Sequence, residues 1–402
     1  MSTDKTKPSK PRILIYTHAF PPMIGGVETY VMLLAQGLTQ GARVGGDDLQ
    51  ITVVTPIPAR GNNDAALPFR VVRQPGLGRL FHLIREADVI HLAGPCLLPM
   101  LLGLILRRRV SVEHHGYPPI CPNGLLVYEP DGTVCSGHFM ARRYQECLRC
   151  NAAGGGLIKS AIKLLVTFVR RWLVKRVEAN ICITAHVKDR LRLPRASVLY
   201  YGVPTLRDPE PFALSSDPFC FAYVGRLVTL KGLPLLVEAA GRLKKQGYRF
   251  RVSFIGDGPE RGALEKLVRD CGLCDYISFA GSATGEALAH LIRDVTAVVM
   301  PSTWEETAGL SAIEQMMRGR LVIAARIGGL GEVVGEAGLL FPPGDAYALA
   351  ECMKRVLDNP ELSQQLGDKA RQRALALFQQ DMMVENHLAQ WFDTPTIITP
   401  VR

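Results

Sequence analysis

Short apolar runs of four to six residues recur along the chain, each followed in most cases by a segment of helical periodicity, and the series starts twice. The first series begins with Arg12-Ile-Leu-Ile-Tyr16, a Pro/Gly loop from Phe20 to Gly26, and a helical pattern over Val27–Leu38. Its further strand candidates are Gln50–Val54, Ala87–Leu92, Val110–Glu113, Ala179–Ile183 and Ser197–Tyr201. The second opens with Cys220–Val224 and continues through Arg251–Ile255, Tyr276–Ala280, Ala297–Met300 and Leu321–Ala324. Strands that alternate with helices pair in parallel and are covered on both faces, so the pattern commits the chain to doubly wound α/β domains. A chain of 402 residues is too long for one core and suits two. We place the first domain at 1–205 and the second at 206–384, with Gly202–Pro218, rich in Pro, Ser and Asp, as linker and hinge. Residues 385–402, with the Trp391-Phe392 pair, are expected to pack back on the first domain.

Charge separates the halves. Residues 1–210 hold 27 Lys+Arg against 15 Asp+Glu, and residues 211–402 hold 20 against 22, so the whole excess of +10 comes from the first half. A basic first domain suits an anionic partner, such as a phosphorylated acceptor or a membrane surface; nucleic acid is not expected. Residues 1–12 are polar and rich in Lys and Pro, without the apolar core of a secretory signal, which points to a cytoplasmic protein. The greasiest stretch, Val89 to Leu106, is broken by His91, Pro95 and Pro99 and reads as a buried strand and helix rather than a span.

In open parallel sheets ligands sit at the carboxyl ends of strands, where glycine loops and helix N-termini approach anions. Gly25-Gly26 stands at such a place, without the G-x-G-x-x-G of a dinucleotide site. In the second series Gly225-Arg226 and Lys231-Gly232 put two cations on a loop entering a helix, a diphosphate-like site. Ile255-Gly256-Asp257-Gly258-Pro259 ends another strand in a tight turn. The most specific segment runs from Pro301 to Glu314, with Glu306 and Glu314 eight residues apart and Gly309-Leu310 at a helix start.

Together with Gly328-Gly329 and Glu332, these motifs closely resemble the retaining glycosyltransferases of family four, over essentially the whole chain. The resemblance implies the GT-B fold, two Rossmann-like domains facing across a cleft. It implies that Arg226 and Lys231 bind the donor diphosphate, that Glu314 binds the nucleotide ribose, and that Glu306 meets the donor sugar beside the amides of Gly309 and Leu310. Gly25, Gly26, Gly225, Gly256 and Gly258 would line the donor site, and His115 resembles the family's active-site histidine near the reacting sugar. Where the family usually has Asp next, this chain has Gly116, and Tyr201 stands where the family commonly has Asn, so the contacts of those two residues do not carry over. The implied partners are a nucleotide-sugar donor and an acceptor glycan, lipid-linked saccharide or small molecule. Fixed cations would stabilise the leaving diphosphate without a catalytic cofactor, and the chain has no Asp-x-Asp for a metal-bound donor. The alternatives are an NAD-dependent oxidoreductase, suggested by doubly wound domains alone, and a nonenzymatic nucleotide-sugar or anionic-lipid binding module.

An insertion over 116–155 holds Cys121, Cys135, Cys147 and Cys150, the last two as C-x2-C, and fits a structural zinc or iron–sulfur cluster, with plain reduced thiols or disulfides as the alternatives. The following segment, Leu157–Arg176, gathers Ile158, Ile162, Leu165, Val169 and Trp172 on one helical face and Lys159, Lys163 and Arg170 on another. We expect that apolar face to cover the core, with peripheral contact to the inner face of a membrane as the alternative.

Overall fold

A computed structural model describes residues 10–392 apart from 24, 42, 45–46, 153–154 and 207–217. The expectations for residues 1–9, for most of the linker and for the last ten residues lie outside the described residues.

The first domain is built on β1 (Arg12–Thr17), β2 (Gln50–Thr55), β3 (Arg70–Arg73), β4 (Val89–Ala93), β5 (Arg109–His114), β6 (Ala179–Cys182) and β7 (Ala196–Val198). They form one sheet in the order β7-β6-β5-β4-β1-β2-β3, parallel throughout. Its helices are α1 (Gly26–Thr39), α2 (Leu77–Glu86), α3 (Leu97–Ile105), α4 (Tyr144–Ala152), α5 (Gly156–Val174) and α6 (Ala185–Leu191). The second domain carries β8 (Phe219–Val224), β9 (Phe250–Ile255), β10 (Ile277–Gly281), β11 (Ala297–Met300), β12 (Leu321–Ala325) and β13 (Leu339–Phe341) in the order β10-β9-β8-β11-β12-β13, again parallel. Its helices are α7 (Leu233–Lys245), α8 (Arg261–Asp270), α9 (Gly285–Ile292), α10 (Leu310–Met317), α11 (Gly328–Val334), α12 (Ala346–Asp358), α13 (Glu361–Leu377) and α14 (Gln380–Phe392).

Strands covered on both faces have no polar side, and the central ones show it: β4, β6, β11 and β12 are buried at every residue. The strand β3 is not among the sequence candidates because it is a sheet edge, two valines flanked by Arg70 and Arg73, with too little apolar signal to separate it from a loop. Ser197–Tyr201 shortens to β7 for the same reason, being the opposite edge. One apolar cluster fills the first domain and continues into α10, α11 and the inner face of the second sheet, while a second fills the space between that sheet's outer face and α7, α8 and α12.

The helix α14 returns to the first domain and lies along α1. Its His387 and Trp391 enter a fully buried polar network under the sheet. Trp391 Nε1 donates to Ser111 Oγ at 3.0 Å, and Ser111 lies 3.1 Å from His91 Nδ1. His91 Nε2 and His387 Nε2 stand 3.1 and 3.2 Å from Glu113 Oε2, to which Tyr30 also donates. Burial alone would raise the Glu113 carboxyl, but the facing His387 and His91 reverse this and hold it well below the usual carboxylate range.

Burial also pushes His114 and His115 down to about 4, so both are neutral in the folded chain. Unfolded, they bind protons from about pH 6.5 downward, and stability therefore falls between pH 6.5 and about 4. Glu113 adds a further loss only below its ordinary 4.5. Thermal unfolding across this range should show a melting temperature that drops steeply below pH 6.5; a flat profile down to pH 4 would contradict the buried neutral histidines.

Candidate active site

The loops at the carboxyl ends of β8, β9 and β11 interlock. Gly225 N donates to Ile255 O at 3.0 Å and Leu227 N to Asp257 O at 2.9 Å. A Cβ on Gly256 would collide with the Gly225 carbonyl oxygen, so glycine there is a condition of the two loops meeting. Arg226 projects from this junction into solvent, exposed. Lys231, one loop turn later, reaches Glu306 on the β11 loop with Nζ 2.6 Å from Oε1. Ser302 Oγ donates to the same oxygen at 2.5 Å. Glu306 is only 5% exposed, so its polar oxygens are satisfied by this pairing rather than by hydration.

Gly309 takes φ +87°, a left-handed turn, and starts α10 directly, with Leu310 as its first residue. Glu314 follows one turn on, half-buried, and burial raises its carboxyl. The amide end of α10, the Lys231–Glu306 pair and the exposed Arg226 thus belong to one set of loops, which can present cations and N–H groups to an anion.

The first domain contributes His115, just past β5. Its Nδ1 lies 2.7 Å from the Tyr201 hydroxyl, which burial keeps firmly protonated. Its other ring nitrogen, Nε2, is buried without a hydrogen-bond partner. An unmade buried hydrogen bond costs about 1–3 kcal/mol, so this atom invites a ligand oxygen. The His115 carbonyl accepts from Thr307 Oγ1 at 3.2 Å, which joins it to the Glu306 loop. At the other glycine loop, a Cβ on Gly25 would sit 2.6 Å from Glu28 Oε2, while Gly26 has open space around it. A carboxylate, Glu28, therefore already stands at the start of α1.

Contacts between the domains concentrate on the same loop. Glu305 Oε2 lies 2.9 Å from Arg190 Nε and 3.1 Å from His186 Nε2, and its carbonyl accepts from the Tyr117 hydroxyl. Thr184 Oγ1 donates to Thr307 O at 2.7 Å. Glu332 accepts from the amides of Ala185 and His186 and from the Tyr200 hydroxyl, all at 2.8 Å. Glu305, Arg190, Tyr117 and Tyr200 carried no sequence signal, because each finds its partner more than 100 residues away.

The four cysteines of the insertion are buried and none is in a disulfide. Cys121 and Cys135 flank a hairpin, Val127–Tyr128 with Thr133–Val134, and Cys147 and Cys150 lie within α4. Cys150 Sγ accepts from the Glu129 amide and Cys135 Sγ from the Gly137 amide. Burial comes first in pushing Cys147 up to about 12, with the neighbouring thiols adding to it. The sulfurs are not drawn into a coordination shell. Among the described residues, only His91, Glu113 and His387 bring three ligand atoms within 4.8 Å of one another, and the hydrogen bonds already given account for them.

Residues 206–373 match the model of the glycosyl transferases group 1 family. A 2-deoxystreptamine glucosyltransferase of Streptomyces kanamyceticus is 32% identical over 215 residues, 49% of this chain and 55% of that protein. The chain spans just over half the length of the curated relatives it matches in this way. Among solved structures, the sucrose-phosphate synthase of Thermosynechococcus elongatus superposes with TM-score 0.69 at 23% identity, covering 94% of this chain and 96% of that one. Anabaena HepE in complex with UDP-glucose superposes with TM-score 0.67 at 18% identity, covering 93% and 97%. The chain has the GT-B fold over its described length, and its residues 206–373 carry the glycosyl transferases group 1 match.

Proposed function

We propose that the protein transfers a sugar from a nucleotide diphosphate donor to an acceptor, with retention of configuration and no metal on the donor. The observation that carries this reading is the Lys231–Glu306–Ser302 node beside the α10 N-terminus, lying within the family match. Arg226 and Lys231 receive the charge that develops on the leaving diphosphate, Glu306 holds Lys231 in place and meets the sugar, and Glu314 takes the ribose hydroxyls. Gly225, Gly256, Gly258, Gly309 and Leu310 let backbone amides approach the phosphates. His115 Nε2 faces the donor sugar from the first domain. The acceptor, a glycan, a lipid-linked saccharide or a small molecule, enters on the basic side, and the protein works at the inner face of a membrane. No helix among the described residues is long and apolar enough to cross one. The oxidoreductase alternative has nothing in its favour.

Arg226→Ala should lower turnover by roughly 10²–10³-fold, the scale of one preorganised transition-state contact, measured in EDTA so that a metal cannot substitute. Lys231→Ala should do the same but also strands the Glu306 carboxylate, so Arg226 is the cleaner test. Wild-type turnover in Arg226→Ala, or activity abolished by EDTA, would overturn the leaving-group assignment.

Glu314→Ala should chiefly weaken nucleotide binding. In a thermal-shift panel of nucleotide sugars, a donor at about 100 times its Kd stabilises the wild type by roughly 2.7 kcal/mol, and the variant should lose most of that at the same concentration. An unchanged shift would remove Glu314 from the ribose site.

We further propose that Cys121, Cys135, Cys147 and Cys150 hold a structural zinc or an iron–sulfur cluster, which would have to draw the four sulfurs together. Four buried, unbridged thiols in one insertion support it. Elemental analysis of protein purified without a metal-affinity tag should find stoichiometric zinc or iron; substoichiometric metal with four titratable thiols would make them ordinary buried cysteines.

A further inference from the structure

The helix α5 is turned inside out. Its apolar stripe faces solvent: Ile158 is 80% exposed, Leu165 63% and Trp172 54%, with Leu157, Ile162, Phe168 and Val169 beside them. This corrects the expectation that the stripe covers the core. Buried instead are Ser160 and Thr167, whose hydroxyls are satisfied by the carbonyls of Leu148 and Lys163, together with Leu173 and Val174. Next to it, α3 exposes Leu98, Leu101 and Ile105. Two neighbouring helices thus offer water an apolar surface that an isolated monomer rarely shows.

The charge along α5 itself is of one sign. From Gly156 to Arg176 there are six cations, Lys159, Lys163, Arg170, Arg171, Lys175 and Arg176, and no acid; α3 is followed by Arg107-Arg108-Arg109. An open cavity of about 770 Å³ lies between the carboxyl half of α5 and the cysteine insertion. Phe139, Phe168 and Trp172 form apolar walls, and Arg142, Arg171 and Lys175 line it with charge. Protein interfaces are depleted in lysine, whereas a helix with aromatic and aliphatic residues on one face and Lys and Arg around it suits the boundary between headgroups and acyl chains.

We propose that α3 and α5 form a docking surface for an anionic lipid bilayer, with α5 lying in the membrane plane and the cavity taking a lipid headgroup phosphate. The apolar stripe enters the acyl boundary, and the exposed cations Lys159, Lys163, Lys175 and Arg176 meet the headgroups. The same helix turns Arg170 inward, close enough that its charge, after burial, lowers His18 at the end of β1. The first domain, to which the proposed function gives the acceptor, is thus the one that docks. This deepens the acceptor half of the proposed function and rests on it only for the source of the acceptor; the docking itself does not.

The test is co-sedimentation of the full chain with vesicles of phosphatidylcholine alone and of phosphatidylcholine with phosphatidylglycerol, together with light scattering of the protein without lipid. Binding should be at least about tenfold tighter to the anionic vesicles and should weaken with salt. The triple variant Ile158→Ser, Leu165→Ser, Trp172→Ser should lose binding while keeping the wild-type melting temperature, since all three side chains are exposed. Arg142→Ala with Lys175→Ala should lose the anionic preference by several-fold; an unchanged preference would remove the headgroup from the cavity. Equal binding to both vesicles, or to neither, overturns the proposal. So does a dimer that the serine variant dissociates without any vesicle binding, since the face would then belong to a second copy. UDP-glucose thermal shifts on the same samples report the donor site separately, so failure of docking and failure of the transferase reading are distinguishable.

Discussion

Both oxygens of Glu332, on the second domain, accept from the first two amides of α6 on the first. The amide end of a helix is the place where a carboxylate is favoured by hydrogen bonds and dipole together, and here the cap comes from across the domain boundary. Thr184, the residue before α6, sends its hydroxyl back to Thr307, and the Thr307 side chain reaches the His115 carbonyl. One short circuit of hydrogen bonds thus fixes the distance between the second domain's loops and the first domain's histidine. Everything that makes the site a site, rather than two half-sites, depends on that registration.

The buried network around Glu113 plays the corresponding part inside the first domain. An ionised carboxylate with no exposure is tolerated only where charge and hydrogen bonds replace water. Here the replacements come from β4 through His91, from α1 through Tyr30 and from α14 through His387. Because α14 is the last described element and follows the second domain, the carboxylate ties it to the middle of the first sheet. Tyr30 also stacks near His115 and Tyr201, with ring centroids 4.8 and 5.1 Å away. The support under the histidine is therefore continuous with the anchor of the final helix.

Much of this was readable in the residues, and the boundary of what was readable is physical. Central strands announce themselves because burial on both faces demands unbroken apolar runs, which is why β8, β9, β11 and β12 sit within a residue or two of their expected places. The glycine loops of the second domain are similarly local: Gly256 must be glycine because of a collision only two strand ends away. The edge strand β3 and the partners Glu305, Arg190 and Tyr117 left no trace, because an arginine paired across 115 residues looks the same in sequence as one in water. Nor did the sequence separate Gly25 from Gly26, although only the first is crowded by Glu28.

The helix α5 marks a different limit. Periodicity establishes that a helix has an apolar side, and it is silent on which side the fold will take inward. In a helix that covers a core, the two agree because burial of large side chains is the dominant gain. In α5 they disagree: small hydroxyl residues face inward, and each hydroxyl is satisfied by a nearby carbonyl, so the inward face costs little while the large side chains stay outside. That arrangement leaves much of the hydrophobic free energy of seven large residues unused by folding. A fold that withholds it from its own core has it available for something else, and the positive charge along the helix narrows what that something can be to a surface that is apolar within and anionic at its boundary.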